Sequence, residues 1–94
     1  MPEMHFRVRW PDGSEERCYS PSLVIHDYFE PGSAYPLPEF VRRSREALQI
    51  ASERVRAKYG FACSSALDQL ARIEARASDF PPGDDAAVRI VAFD

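Results

Sequence analysis

The sequence predicts an α+β fold, with a small three-stranded sheet and helices packed on one face, in the chain order ββαααβ. The first twenty residues alternate apolar with polar side chains and are interrupted by a turn sequence, which is typical of a β-hairpin. The middle of the chain repeats apolar residues at three- and four-residue steps, which is typical of amphipathic helices, and the last residues alternate again. We therefore expect one domain over residues 1–94 with a single hydrophobic core.

The charge and hydropathy of the chain narrow the classes of partner. The formal net charge is −3, whereas general nucleic-acid binding depends on a positive field, so nucleic acid is not the expected partner. No apolar run reaches the roughly 18–20 residues of a membrane-spanning helix, and arginines interrupt the segment where a secretion signal would be apolar. We expect a cytoplasmic protein that binds no membrane and keeps its two cysteines as free thiols, although the sequence leaves a disulfide open.

The opening hairpin has two registers that the sequence leaves open. In one, residues 11–13 form a bulged loop with Gly13 in the left-handed conformation, and Phe6 lies opposite Cys18. In the other, a two-residue loop shifts the pairing by one residue, so Phe6 lies opposite Tyr19 and the cysteine turns outward. We favour the bulged register because it buries a cysteine and brings an arginine beside a glutamate across the strands.

Two helices are expected in the middle of the chain. Ser20 is followed by a proline, which has the form of an N-cap and a first helical residue and predicts a short helix over about residues 21–29. Residues 30–36 are rich in proline and glycine and are expected to form a loop. A longer helix is predicted from about Pro38, and Gly60 is expected to end it because glycine adopts the left-handed conformation at little cost.

A third helix and a last strand complete the predicted order. The helix is expected to begin at residue 64 or 65, since Ser65 and Asp68 have the spacing of a shortened capping box. Leu67 is assigned to its apolar face, and the helix is expected to end before residue 80. Residues 87–93 alternate but are apolar on both faces, which indicates an interior strand beside the first strand.

The histidines and cysteines do not predict a metal site. Zinc ligands in structural sites are separated by roughly two to five residues on turns, and His5, Cys18, His26 and Cys63 contain no such pair. Phosphate-binding loops of the GxxxxGKS/T or GxGxxG type are also absent from the sequence, so no cofactor is predicted.

A reactive thiol is the strongest catalytic candidate. Cys63 precedes the third helix, where backbone N–H groups converge and favour an anion, and Cys18 is the second candidate. Phe61, Ala62 and Leu67 lie close to Cys63 in the sequence, and such apolar neighbours would raise its pKa and make it a packing residue. Neither thiol has a locally placed base, so no catalytic residue is predicted.

Two groups of side chains are candidates for binding a protein partner. Arginines on the outward face of the hairpin give a cationic surface, and aromatic residues gather around the proline-rich loop. The same residues have an ordinary explanation, in which the arginines are solvated beside glutamates and the rings close the core beneath the loop. The candidate partner-binding residues are Arg7, Arg9, Arg17, Tyr19, Tyr28 and Tyr35.

Four segments of the sequence are typical of one protein family. They are MPEMHF at residues 1–6, VRWPDGS at 8–14, ERCYSPSL at 16–23 and KYGFACS at 58–64. With these segments the chain resembles, over nearly its whole length, a family of short bacterial proteins named for a nitrogen-starvation response. The resemblance implies gene clusters that also encode a nitrilase-type carbon–nitrogen hydrolase, a radical SAM protein, an acetyltransferase and a flavin-dependent oxidoreductase. It supplies no catalytic residues.

The resemblance implies a role in scavenging nitrogen from nitriles or cyanide. We expect a non-catalytic accessory or regulatory protein that docks on a partner from the nitrilase gene cluster, or on a second copy of itself, through the hairpin edge and the aromatic loop. The alternative is a small enzyme or ligand carrier that uses Cys63 or Cys18 on a nitrile-derived species. We prefer docking because few polar groups converge in the sequence, whereas strand edges and aromatic patches suffice for binding a protein.

Overall fold

Four strands and three helices are present in the computed structural model, which describes residues 3–61, 63–81 and 85–94. In chain order the elements are β1 (Met4–Arg9), β2 (Glu15–Ser20), α1 (Ile25–Tyr28), β3 (Ala34–Pro36), α2 (Leu37–Tyr59), α3 (Ser64–Ala77) and β4 (Ala87–Phe93). The strands form an antiparallel sheet in the order β2-β1-β4-β3. The mixed α and β content confirms the predicted class, but the described chain has the order ββαβααβ.

The additional strand, β3, lies in the segment expected to be a loop, and it makes the prediction of a three-stranded sheet wrong. It pairs with β4, and beside it Gly32 donates to the Ile90 carbonyl (2.7 Å) while Ile90 donates to the Ser33 carbonyl (2.9 Å). Three residues that include a proline carry almost no strand signal, so the pairing with β4 decides the conformation. Because β3 occupies its outer side, β4 is an interior strand beside β1, as predicted.

The hairpin of β1 and β2 has the bulged register that we favour from the sequence. Phe6 lies opposite Cys18, and Gly13 has a φ of 89°. This register buries the cysteine in the core and brings the side chains of Arg9 and Glu15 to 2.7 Å. The alternative two-residue loop is not formed.

The first helix is shorter than predicted, and its expected N-cap is not formed. α1 begins only at Ile25, whereas the prediction starts the helix directly after Ser20. The Ser20 hydroxyl instead accepts from the Ser22 N–H (3.2 Å) and donates to the Ser22 carbonyl (2.8 Å). The Ser22 hydroxyl accepts from the Val24 N–H at 3.3 Å. These local bonds use main-chain groups that a helical turn would need, and the helix therefore starts later.

α2 begins one residue before the predicted start and ends where predicted. Gly60 follows its last residue with a φ of 87° and donates its N–H to the Arg56 carbonyl at 2.8 Å. A residue with a side chain would be strained in this left-handed conformation, so the glycine ends the helix for the expected reason.

α3 spans its predicted residues, but its capping and its apolar face differ from the prediction. Cys63 occupies the N-cap position and no side chain caps the helix, so the expected capping box with Asp68 is not formed. Leu67 is 44% exposed and lies outside the core, which receives Leu70 and Ile73 from this helix. The prediction that Leu67 belongs to the buried face is therefore wrong.

The hydrophobic core lies between one face of the sheet and the three helices. The Trp10 ring packs edge-on against Phe40 of α2, with centroids 5.5 Å apart, and stacks on Phe80 after α3 at 6.0 Å. Phe29, which follows α1, lies between Phe6 of β1 and Phe40. Since the core side chains of all three helices meet this one face, the opposite face of the sheet is covered by no helix of the described chain.

Arg76, in the last turn of α3, connects this helix to the loop between β1 and β2. Its guanidinium donates to the carboxylate of Asp12 at 2.6 Å and to the hydroxyl of Ser14 at 2.9 Å, and it lies over the rings of Trp10 and Phe80. Hydrogen bonds from the Ser14 hydroxyl and N–H, followed by that from Arg76, lower the pKa of Asp12 to about 2. The turn is thereby fixed in position relative to α3.

Candidate functional site

The face of the sheet that carries no helix presents a row of arginines. Because side chains alternate along a strand, the residues of β1 and β2 that flank the core positions point to this face. β4 adds Arg89, which lies opposite Arg9. We call this surface the open face, and its side chains include Glu3, His5, Arg7, Arg9, Glu15, Arg17, Tyr19, Arg89, Ala92 and Asp94.

Two of these arginines share one carboxylate. Arg7 and Arg17 lie directly opposite each other on β1 and β2, where like charges repel. Asp94 lies between them and accepts from Arg17 Nε at 3.1 Å and from Arg7 Nη2 at 3.3 Å. The bond from Arg17, together with the charge of Arg7, lowers the pKa of Asp94 below its ordinary value.

The side chains of the open face carry more positive than negative charge. Arg9 pairs with Glu15, whereas Arg89 donates to the Gly32 carbonyl at 2.8 Å. Four guanidinium groups therefore stand beside three carboxylates, those of Glu3, Glu15 and Asp94, in a chain whose net charge is −3. Because of these positive side chains, the open face is better suited to bind an acidic partner than the rest of the chain is.

Tyr19 forms the border of the open face beside α3. Its hydroxyl donates to Glu3 at 3.2 Å, and its ring packs edge-on against His5, with centroids 5.6 Å apart. Burial, with a further contribution from the bond to Glu3, raises the pKa of Tyr19 to about 12. The hydroxyl therefore stays protonated and acts as a hydrogen-bond donor at this edge.

Tyr28 and Tyr35 lie apart from the four candidate residues of the open face. They line a cleft of about 230 Å³ on the helix side, together with Arg43. The Arg43 guanidinium donates to the Tyr28 carbonyl at 2.8 Å and lies 5.0 Å from the centre of the Tyr35 ring, whose hydroxyl accepts from the Glu30 N–H. The Tyr35 ring also packs edge-on against Phe29, so these side chains close the core beneath the loop.

The two thiols occupy different environments. Cys18 is fully buried, and burial, with a smaller contribution from Glu16, raises the pKa of its thiol well above the ordinary value. Cys63 is half-buried before α3, and both thiols are free. Phe61 and Leu67 are exposed and do not enclose Cys63 as expected, and Ala62 lies outside the described residues.

Within the described ranges, no three histidine, cysteine or carboxylate side chains are grouped to hold a metal ion.

Alkylation is expected to distinguish the two thiols. Iodoacetamide at pH 8 should modify Cys63 in the folded chain and leave Cys18 unmodified, because the thiolate is the nucleophile and the Cys18 thiol is both buried and hard to ionise. Mass spectrometry of tryptic peptides identifies the modified cysteine. The Cys63→Ser variant is the control, and it should carry no label until denaturant exposes Cys18. Rapid labelling of Cys18 in the folded chain would contradict the burial described here.

Three residues that matter for this surface are missed by reasoning from the sequence. Arg89 and Asp94 reach the open face only through the pairing of β4 with β1, and Gln69 of α3 accepts the Tyr19 N–H at 3.0 Å. The alternation in the last strand indicates that Arg89 faces away from the core. It does not indicate which residues of β1 lie beside it, because that pairing links residues about eighty positions apart.

None of the helices in the described part of the chain is both long enough and apolar enough to span a membrane.

Comparison with known proteins gives one match. A family model described as "Nitrogen starvation-induced protein NitG" matches residues 5–93. Searches of curated proteins and of solved structures gave no match. The match includes β2, β3 and β4 in full and β1 from His5, whereas Glu3 and Asp94 of the open face lie outside it.

Proposed function

The chain belongs to the NitG family of nitrogen starvation-induced proteins, and we propose that it is a non-catalytic accessory protein of the nitrogen-starvation response that docks on an acidic surface of a partner protein. The docking surface is the open face. The single observation that supports this proposal most is the concentration of four arginines on a sheet face that no helix covers, in a chain of net negative charge.

The geometry of the open face favours binding over chemistry. Its arginines stand on paired strands, so their main chains are held rigidly, while 41%, 49% and 57% of the side chains of Arg7, Arg9 and Arg17 remain exposed. A guanidinium presents several N–H donors in a plane and binds carboxylates in a defined geometry. The contact with Asp94 is an example within the chain itself. An acidic segment of a partner would meet the same donors.

We infer the biological role of the chain from its family. Induction by nitrogen starvation supports a role in obtaining nitrogen, and the resemblance of the sequence to members encoded beside a nitrilase-type hydrolase supports nitriles or cyanide as the source. The partner we propose is one of the proteins of that gene cluster. A regulatory subunit would bind its partner through a surface of this kind.

Reversing two of the positive charges of the open face is expected to weaken docking. The wild-type chain, immobilised and presented with each purified cluster protein, should retain one of them. The double variant Arg9→Glu, Arg89→Glu should bind that protein at least about tenfold more weakly, because acidic side chains then face an acidic partner. Surface plasmon resonance at two salt concentrations measures Kd and its salt dependence.

A second double variant provides the matched control. Arg45→Glu with Arg56→Glu changes the net charge by the same amount and removes exposed ion pairs with Glu74 and Glu53 on the helix side. It should bind as the wild type does. Equal weakening by both doubles, or failure of the wild type to retain any cluster protein, would refute the proposal.

A further inference from the structure

The outer edge of the sheet, along β2, carries main-chain groups that no other strand of the described chain uses. Because hydrogen bonds to β1 alternate along an antiparallel ladder, every second residue of β2 points its N–H and carbonyl outward. Tyr19 belongs to this outward set, because its N–H donates to Gln69 of α3 at 3.0 Å. Glu15 and Arg17 are the other members. Among the described residues, their outward N–H and carbonyl groups have no partner, so the edge is open at these two positions.

One antiparallel register allows a second copy of β2 to use all of these open groups. If two strands pair about a two-fold axis at Glu16, Glu15 of each copy lies opposite Arg17 of the other, and each pair exchanges two main-chain hydrogen bonds. An axis at Arg17 would instead set Glu15 opposite Tyr19. Because the Tyr19 N–H is already bound to Gln69, the Glu15 carbonyl would then lack a donor.

The charges on the open face favour the same register. With the axis at Glu16, a carboxylate lies directly across the ladder from a guanidinium at both pairs, whereas an axis at Arg17 would set one guanidinium against another. Within each chain, Glu15 already pairs with Arg9 at 2.7 Å, and Arg17 pairs with Asp94 at 3.1 Å. The charges across the joined edges therefore alternate in sign, in the order Arg9 and Glu15 of one copy, then Arg17, Asp94 and Arg7 of the other.

Glu16 lies on the axis of this register and faces its own copy there, which is unfavourable for two like charges. Its side chain lies on the core face of β2, and its carboxylate accepts from Trp10 Nε1 at 3.1 Å. Trp10 follows β1, on the inner side of β2, so this bond directs each Glu16 carboxylate away from the other copy. The repulsion at the axis is thereby reduced, and it weakens the pairing without reversing the register.

We propose that the chain forms a two-fold dimer through its β2 edges, paired antiparallel about Glu16, so that two four-stranded sheets join edge to edge. A second copy is the occupant that the edge fits, because Glu15 and Arg17 complement each other across the axis. A purely acidic or purely basic segment of another protein would match only one of them. The axis is perpendicular to the sheet, so both open faces lie on one side of the dimer. This inference does not depend on the proposed docking function.

Exchange of the two edge charges tests the register. Sedimentation equilibrium of the wild type, from about 10 µM to about 1 mM, should show the mean mass rising from that of one chain towards that of two. Glu15→Arg should weaken the dimer at least about tenfold, because guanidinium groups then face each other at both pairs. The double variant Glu15→Arg, Arg17→Glu should recover association, since each pair again has opposite charges. Far-ultraviolet circular dichroism checks that both variants are folded.

A second exchange, on the helix side, provides the matched control. Glu53→Arg with Arg56→Glu reverses an exposed ion pair of α2 and keeps the net charge, as the double edge variant does. It should dimerise as the wild type does. Equal weakening by this control and by Glu15→Arg would show that the association does not use the β2 edge.

Glu16→Gln tests the position of the axis. This variant removes the repulsion between the two Glu16 carboxylates and keeps a side-chain oxygen that can accept from Trp10 Nε1. We expect it to dimerise about threefold more tightly than the wild type. With the axis at Arg17, residue 16 would lie opposite Cys18, and the substitution would leave the dimerisation constant unchanged.

Hydrogen exchange gives a measurement that needs no variant. When the wild-type concentration is raised over the same range, exchange of the Glu15 and Arg17 amides should slow together, because both donors enter the new ladder. The Tyr19 amide, which already donates to Gln69, should change less.

Three outcomes would overturn this inference. They are a chain that remains a monomer at about 1 mM, a dimer that Glu15→Arg leaves intact, and a dimer in which neither edge amide is protected. Protection of both amides only after a cluster protein is added would assign the edge to a different chain and would overturn it equally. The proposed function is measured separately, by the retention of cluster proteins on the open face, so either proposal can fail while the other stands.

Discussion

Trp10→Ala is expected to lower the free energy of unfolding by about 3–5 kcal/mol. The Trp10 ring is 2% exposed and packs between Phe40 of α2 and Phe80 after α3, while its Nε1 donates to Glu16 at 3.1 Å. Arg76 lies over the same ring. Truncation would leave a cavity where β1, α2 and the end of α3 meet. Urea unfolding followed by far-ultraviolet circular dichroism measures the change.

Trp10→Phe separates the packing contribution from the hydrogen bond. This variant keeps an aromatic ring between Phe40 and Phe80 but removes the donor to Glu16, and we expect a loss of about 1–2 kcal/mol. A loss in Trp10→Ala no larger than that in Trp10→Phe would show that the ring packing contributes little. The core would then be wrong at its largest buried side chain.

Ser44→Ala is expected to raise the free energy of unfolding by about 1–2 kcal/mol. Ser44 lies on the buried face of α2 with no exposed surface, and its hydroxyl has no hydrogen-bond partner among the described residues. Alanine removes this uncompensated polar group and also has the higher helix propensity. The same urea titration measures the gain, provided that the slope of the unfolding free energy against urea concentration is equal in the variant and the wild type.

The reciprocal substitution is the control. Ala47→Ser places a hydroxyl at a neighbouring, fully buried position of the same helix and should destabilise the chain by a similar amount. A loss of stability in Ser44→Ala would mean that the Ser44 hydroxyl has a partner, such as a buried water, and would contradict this account of the helix interface.

Only some of the residues of the open face could be predicted from the sequence. Arg7, Arg9 and Arg17 follow from alternation in the hairpin, because a turn of three residues fixes which side chains of two adjacent strands share a face. Arg89 and Asp94 join them through a pairing between the two ends of the chain, for which no local sequence signal exists. The grouping of Tyr28 and Tyr35 with Arg43, and the hydrogen bond from the Tyr19 N–H to Gln69, likewise depend on how the helices pack.

By itself, the sequence determined the mixed fold class, the end of α2 at Gly60 and the span of β4, and it favoured the bulged register of the hairpin over the alternative. Each of these depends on groups a few residues apart, such as a glycine that must adopt a positive φ or an alternation that has one buried face. Only the tertiary structure decided that β3 exists and that the arginines of two distant strands form one surface. These features arise from hydrogen bonds and packing between segments brought together by folding, where long-range pairing overrides weak local preference.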